Sequence, residues 1–342
     1  MTSKKIRYSN SSTVFYFDGK FSSIKTLCRK ATTTIITDEH VFAAHQEKFR
    51  GWNVIILKPG EEFKVQATAD AVIEQLIALE AGRDHTLVGV GGGVVTDLTG
   101  YIASVYLRGI RFGFVPTTIL GLVDASIGGK NGIDVNGYKN LVGTINQPAF
   151  ILHDLSFLNS LPEKDWRNGF AEVIKHAAIK DAAMFRSLEK NELSFYRDDH
   201  KALAALISRN AMIKIRVVQE DEFERGDRKL LNFGHTIGHA IETQYELLHG
   251  EAISIGMICA AHISEKETGF AETARLAAIL EKYGLPAYAS FNPEKVFSIL
   301  KMDKKRKSSS VNYVLLNAIG KSRWQALTLS AIRRFLLSTK KW

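Results

Sequence analysis

Two short stretches, Leu231-Asn232-Phe233-Gly234-His235-Thr236-Ile237-Gly238-His239 and Leu248-His249-Gly250-Glu251, hold three of the chain's 10 histidines. Residues at i and i+4 of a helix share a face, so His235 and His239 point into the same space. A zinc site collects nitrogen ligands from one helix at that spacing. A catalytic zinc takes three protein ligands and keeps one position open, so histidines with one carboxylate satisfy it. An H-x3-H pair also arises by chance, and a histidine on an apolar face is ordinarily a satisfied core residue. The third histidine weighs against chance. So does Ala171-Glu172-Val173-Ile174-Lys175-His176, which sets a carboxylate in an otherwise apolar helix. Glu172 and Lys175 share a helix face and can simply pair; alternatively Glu172 supplies the carboxylate that the histidines lack.

Other groups suit anions. Gly91, Gly92 and Gly93 follow a strand and precede a helix, a turn where backbone amides approach a pyrophosphate. The dinucleotide fingerprint is incomplete, because Thr96 stands where its third glycine belongs and no acidic residue follows at the ribose-binding distance. Asp38, at the end of an earlier strand, is the better ribose partner, since ligands gather at the carboxyl ends of parallel strands. Lys130 and Lys139 sit in glycine-rich loops, Ile127-Gly128-Gly129-Lys130-Asn131-Gly132 and Gly137-Tyr138-Lys139-Asn140. Such loops accommodate phosphate or carboxylate, though the order is not that of a P-loop. Lys214, Arg228 and Asn232 add cationic and amide donors near the histidines.

The elements that must position these groups change character along the chain. The β-branched runs at 33–37, 54–57, 86–90 and 111–115 alternate with a helical pattern at 66–81, which predicts a parallel sheet covered on both faces. From Pro162 onward, helical periodicity dominates at 164–179, 201–220, 234–246, 252–268 and 273–283, with a strand-like run at 311–316. The expectation is an α/β nucleotide-binding domain over 1–161 and a mainly α-helical metal- and substrate-binding domain over 162–342.

Composition narrows the class of function. A net charge of +9, from 45 basic and 36 acidic residues, attracts either nucleic acid or small anions. No nucleic-acid motif is present, and the cations stand singly beside Gly, Asn and His, which favours a small anion. Cys28 and Cys259 make no disulfide framework. The N-terminal stretch lacks the apolar core of a signal peptide, and no apolar run reaches the length of a membrane span. A soluble cytoplasmic protein is expected, without nucleic-acid or membrane partners.

Taken together, these motifs closely resemble the 3-dehydroquinate synthase family of sugar-phosphate cyclases. The match runs from about Asp38 to Gly320, most specifically at 91–100, 116–140, 169–176 and 230–251. The resemblance implies zinc, with Co2+ a possible substitute, on Glu172, His235 and His249. His239 then leaves the ligand set and handles the substrate phosphate and protons. NAD is implied on Asp38, Glu61, Lys64, Gly91, Gly92, Gly93, Asp97, Thr117, Thr118, Lys139, Phe157, Ser160, Leu161 and Asp165. Substrate contacts fall on Asp124, Lys130, Asn140, Lys175, Lys214, Arg228, Asn232 and the loop with Lys304 and Lys305. Arg108 reaches the substrate phosphate of a neighbouring subunit, which implies a homodimer. The implied substrate, 3-deoxy-D-arabino-heptulosonate 7-phosphate, is a sugar acid phosphate. The implied reaction eliminates phosphate and closes a carbocycle while NAD is recycled. Substrates of sister cyclases lack the carboxylate, so Arg228 and Lys214 as carboxylate partners favour the acid.

Overall fold

The structure, a computed structural model, describes residues 2–245, 247–303 and 309–338. The expected phosphate contacts Lys304 and Lys305 lie outside the described residues. The chain divides between Asp165 and Trp166 into two compact units.

The first unit contains strands β1 (Thr2–Arg7), β2 (Ser12–Phe17), β3 (Thr33–Asp38), β4 (Asn53–Leu57), β5 (Thr86–Gly91), β6 (Arg111–Pro116), β7 (Lys130–Val135), β8 (Tyr138–Ile145) and β9 (Phe150–Leu152). Among the described residues, seven of them form one sheet in the order β1-β2-β9-β6-β5-β3-β4. All pairings in it are parallel except β1 with β2. The predicted parallel sheet is therefore present. β5 is buried at every position and β3 at all but its last, as strands covered on both faces must be. Ile35, Val88, Val90, Val115, Phe150 and Phe157 pack in one core cluster.

Three departures from the sequence expectation have physical reasons. β1 is an edge strand whose only buried residue is Ile6, so its charged run carries no apolar pattern. β9 is three residues long, too short for periodicity. The supposed glycine-rich loops around Lys130 and Lys139 are instead an antiparallel hairpin, β7 against β8. Gly132 lies opposite Gly143 there, and a Cβ on Gly132 would sit 2.7 Å from the carbonyl oxygen of Val142. The glycines permit close strand approach as well as turns.

The second unit is mainly helical. Its main elements are Glu163–Lys180 (which begins just before the division), Ala182–Lys190, His200–Glu220, His235–Tyr245, His249–Thr268 and Thr273–Lys282. A hairpin of β10 (Ser310–Ala318) and β11 (Lys321–Thr328) accompanies them. The His249–Thr268 helix is buried along most of its length, consistent with its apolar run. It starts three residues before the expected 252, because the Glu251 carboxylate accepts the Leu248 N–H at 3.0 Å and closes its first turn. No helix among the described residues is long and apolar enough to cross a membrane.

Candidate active site

Three helices of the second unit bring the candidate ligands together. Glu172 lies mid-way along Glu163–Lys180, whereas His235 and His249 each open a helix. Glu172 Oε1 is 3.6 Å from His235 Nε2 and 3.5 Å from His249 Nε2. One ligand atom from each of the three residues lies within 4.8 Å of the others. Close approach of backbone makes this possible. The amide of Gly250 donates to Asn168 Oδ1 on the Glu172 helix, and a Cβ on Gly250 would be 2.8 Å from the Asn168 Cα.

A carboxylate oxygen and two imidazole nitrogens suit a divalent ion such as Zn2+ or Co2+. The His235 ring is already oriented for this: Nδ1 donates to the Phe233 carbonyl at 3.1 Å, leaving Nε2 toward Glu172. Burial, reinforced by the Lys175 ammonium, holds His235 well below its ordinary pKa, so the ring is neutral, as a ligand must be. At His249 burial also opposes charge. The neighbouring Glu172 and Glu242 carboxylates outweigh it and push the pKa up to about 9, so an ion taken at Nε2 would have to displace that proton. His239 is exposed, its ring centroid 5.0 Å from that of His235. Its nitrogen groups with Glu242 and His249 rather than with Glu172.

The second carboxylate oxygen faces elsewhere. Glu172 Oε2 pairs with the Lys175 ammonium and lies 3.9 Å from His176 Nε2. Glu172, Lys175 and His176 are all essentially inaccessible to solvent. His176 Nδ1 donates to Asn210 Oδ1 at 2.7 Å, and the Asn210 amide in turn donates to the Val173 carbonyl.

Cations expected to meet substrate are buried in the same unit. Lys214 is 8% and Arg228 3% exposed, and Arg228 donates to the Glu222 carbonyl. Asn232 donates to Glu224 Oε1 at 2.6 Å, and both line a cavity of about 440 Å³ with Phe223, Lys229 and the start of β10. Glu224, Glu242 and His176 were not among the candidates. Only Glu242 left a signal in sequence, since 235, 239 and 242 form an i, i+4, i+7 stripe.

In the first unit, β5 ends at Gly91 and the next helix begins at Gly93, so amides at 91–93 open a helix N-terminus. A Cβ on Gly91 would lie 2.6 Å from that of Val95, and one on Gly92 would lie 3.3 Å from Thr118 Cγ2. Thr117 donates its N–H to the Gly91 carbonyl, and Thr118 Oγ1 accepts the Gly121 N–H. This bare turn flanked by threonines fits a dinucleotide diphosphate. Asp38 ends β3 and accepts the Val41 N–H at 2.9 Å as a helix cap.

Lys64 is the hub of the remaining candidates. Its buried ammonium is 2.8 Å from Glu61, 3.4 Å from Asp97, 3.6 Å from Asp134 and 2.8 Å from Asn140 Oδ1. Burial opposes that charge, yet Asp97 and Glu61 raise the Lys64 pKa well above the usual range. Lys130 and Lys139 are exposed on β7 and β8, and Asp124 is half-buried in the 121–125 turn. Ser160 bonds His45 at 2.8 Å, while Leu161 and Asp165 close the unit, and burial raises the Asp165 pKa. Phe157 is 1% exposed within the core cluster, so the expected NAD contact there is not open to a ligand in this structure. Arg108 is exposed beside Leu107, both in left-handed backbone.

The family model described as 3-dehydroquinate synthase N-terminal matches residues 54–168, and the one described as 3-dehydroquinate synthase C-terminal matches 169–306. A 3-dehydroquinate synthase from Citrifermentans bemidjiense is 37% identical over 329 residues, covering 91% of each chain. A solved 2-deoxy-scyllo-inosose synthase, complexed with carbaglucose-6-phosphate, NAD+ and Co2+, superposes with a TM-score of 0.85 at 28% identity, covering 98% of this chain and 99% of that one. ValA, a 2-epi-5-epi-valiolone synthase from Streptomyces hygroscopicus with NAD+ and Zn2+ bound, gives 0.85 at 26% identity, covering 99% of this chain and 98% of that one.

Proposed function

The chain belongs to the 3-dehydroquinate synthase family, and from that premise we propose how its residues divide the work. The protein is a lyase that converts 3-deoxy-D-arabino-heptulosonate 7-phosphate to 3-dehydroquinate and phosphate, in aromatic amino acid biosynthesis. Its cofactors are NAD and a divalent metal. When bound, the metal polarises the substrate alcohol, and the nicotinamide withdraws a hydride and returns it in the same turnover.

The observation that carries the reading is the convergence of Glu172, His235 and His249 in a unit that also buries Lys175, Lys214 and Arg228. The triad holds the metal, preferentially Zn2+. Lys175 neutralises Glu172 and offers a donor to substrate oxygen. Lys214, Arg228 and Asn232 hold the carboxylate and phosphate, and His239 moves a proton at the phosphate end. In the first unit, the 91–93 turn, Thr117 and Thr118 seat the NAD diphosphate. Glu61, Lys64 and Asp97 fix the surrounding loops, and Asp124, Lys130 and Asn140 serve substrate.

The protein acts as a homodimer in the cytoplasm, with Arg108 offered to the partner's substrate. Supporting the dimer, β8 exposes Tyr138, Leu141, Val142 and Ile145, and Val105 and Leu107 are exposed as well, a large apolar load on the first unit.

The test is phosphate release from 3-deoxy-D-arabino-heptulosonate 7-phosphate with catalytic NAD+ and Zn2+, NADH absorbance being followed alongside. Release that stops on chelation, without NADH accumulation, is expected. Turnover only of a phosphate lacking the carboxylate would keep the fold and reassign the substrate to that of a sister cyclase.

A further inference from the structure

We infer that Glu242 is a positioning residue for His249: its carboxylate takes the Nδ1–H of that ring and thereby commits Nε2 to the metal. The inference rests on the metal reading above and deepens it. His249 has two polar edges, and the structure gives each one a carboxylate. Nε2 is 3.5 Å from Glu172 Oε1, and Nδ1 is 3.6 Å from Glu242 Oε2, whose side chain is 10% exposed. His235 shows the same division. Its Nδ1 meets the Phe233 carbonyl at 3.1 Å and its Nε2 the same Glu172 oxygen at 3.6 Å. One ring is oriented by backbone, the other by a side chain.

A neutral imidazole has one N–H and one lone pair, and a metal takes the lone pair. Without an acceptor at Nδ1, the favoured tautomer puts the proton on Nε2, where it donates to Glu172 and occupies the direction the metal needs. A carboxylate at Nδ1 reverses that preference and raises the basicity of Nε2. The sequence places the device economically. Glu242 lies seven residues after His235 on one helix, so that helix supplies one ligand directly and orients the other.

There is one competing role. A ligand atom each from His239, Glu242 and His249 also lies within 4.8 Å of the others, so Glu242 could itself ligate a second ion. Stoichiometry separates the two roles.

The experiment compares wild type, Glu242→Leu and Glu242→Gln in the full chain. Zn2+ affinity and stoichiometry are read by competition with a chromophoric chelator, the visible spectrum is taken with Co2+, and unfolding is followed without metal. Wild type is expected to bind one ion per chain. Glu242→Leu should weaken Zn2+ binding about 10- to 100-fold and perturb the Co2+ spectrum while the metal-free unfolding midpoint stays close to wild type. Glu242→Gln, which keeps an oxygen acceptor, should recover most of the affinity and the wild-type spectrum. Unchanged Zn2+ affinity in Glu242→Leu overturns the inference, as does a wild type that binds two ions and a variant that binds one. Should Glu242→Leu not fold, Glu242→Ala takes its place: the same loss of Zn2+ affinity is expected, and unchanged affinity overturns the inference. A wild type that takes up no Zn2+, or whose uptake survives His249→Ala, overturns the metal assignment itself.

Discussion

Gly256→Ala tests whether helix packing sets the ligand geometry. A Cβ at Gly256 would fall far inside contact distance of the Gly234 carbonyl oxygen and 2.8 Å from the Gly238 amide nitrogen. The His235–Tyr245 and His249–Thr268 helices therefore meet backbone to backbone, and backbone cannot swing aside as a side chain does. Ordinary contact begins at 3.4 Å. Relieving the amide clash alone parts the helices by about 0.6 Å, whereas metal–ligand distances hold to within about 0.2 Å. His235 and His249 open these two helices, so the displacement passes directly to both rings. Overpacking costs about 1–3 kcal/mol, and replacing a helical glycine by alanine returns up to about 1 kcal/mol. Metal-free stability should thus fall by about 0–3 kcal/mol. Zn2+ affinity should fall at least about tenfold, or about 1.4 kcal/mol. Chelator competition measures the second quantity, and calorimetry without metal measures the first. Gly269→Ala is the control. Its φ of +73° makes the substitution strained, yet no atom lies within 4 Å, so it should lower stability and leave Zn2+ affinity unchanged. Wild-type affinity in Gly256→Ala would refute the argument that backbone contact holds the two histidines in place.

Two further predictions follow from named contacts. His249→Ala should abolish Zn2+ uptake, whereas His239→Ala should retain the metal and lose turnover; metal loss in His239→Ala would mean that the roles are misassigned. In the first unit, Asp154 accepts from Phe21 N, Ser156 N and Ser156 Oγ and pairs with Lys48 at 3.2 Å. Burial alone would raise its pKa, but these bonds and the Lys48 charge hold it below the usual carboxylate range. A carboxyl depressed on folding stabilises the native state above its unfolded pKa of about 4, and that stability is lost as pH falls through the lower native value. Asp154→Asn should therefore melt below wild type at neutral pH, with the gap narrowing steadily under acid. A gap independent of pH would remove the carboxylate's charge as the cause.

The legibility of this chain in sequence tracks how local each cause is. β3 and β5 were plain because burial on both faces demands uninterrupted β-branched or small residues over a short span. The long helices were plain because they keep apolar spacing over many turns. β1 and β9 were not, since an edge strand with one buried residue and a three-residue strand leave no pattern to read. The hairpin around Lys130 was hidden by its own glycines. Gly132 and Gly143 look like loop residues along the chain, and only their pairing explains them. Phe157 shows a different limit, since nothing local separates a phenylalanine in a core from one against a ligand.

The ligand set shows why spacing alone stops short. The i, i+4 rule put His235 and His239 on one face, and their rings are indeed 5.0 Å apart. Yet Glu172, contributed by another helix, faces the rings of His235 and His249, and no local signal joins residues so far apart in sequence. Sequence also left Glu172 as either partner of Lys175 or metal ligand. The two alternatives are geometrically compatible, because a carboxylate has two oxygens and here they face different ways: Oε2 toward Lys175 and His176, Oε1 toward His235 and His249. A fully buried carboxylate needs a compensating positive charge, and a lone one would be costly. Lys175 supplies that charge within the protein itself and leaves Oε1 turned to the histidines. Glu172 can thus pair with Lys175 through one oxygen and still present the other to the two histidines, so the ion pair is compatible with the proposed ligand role.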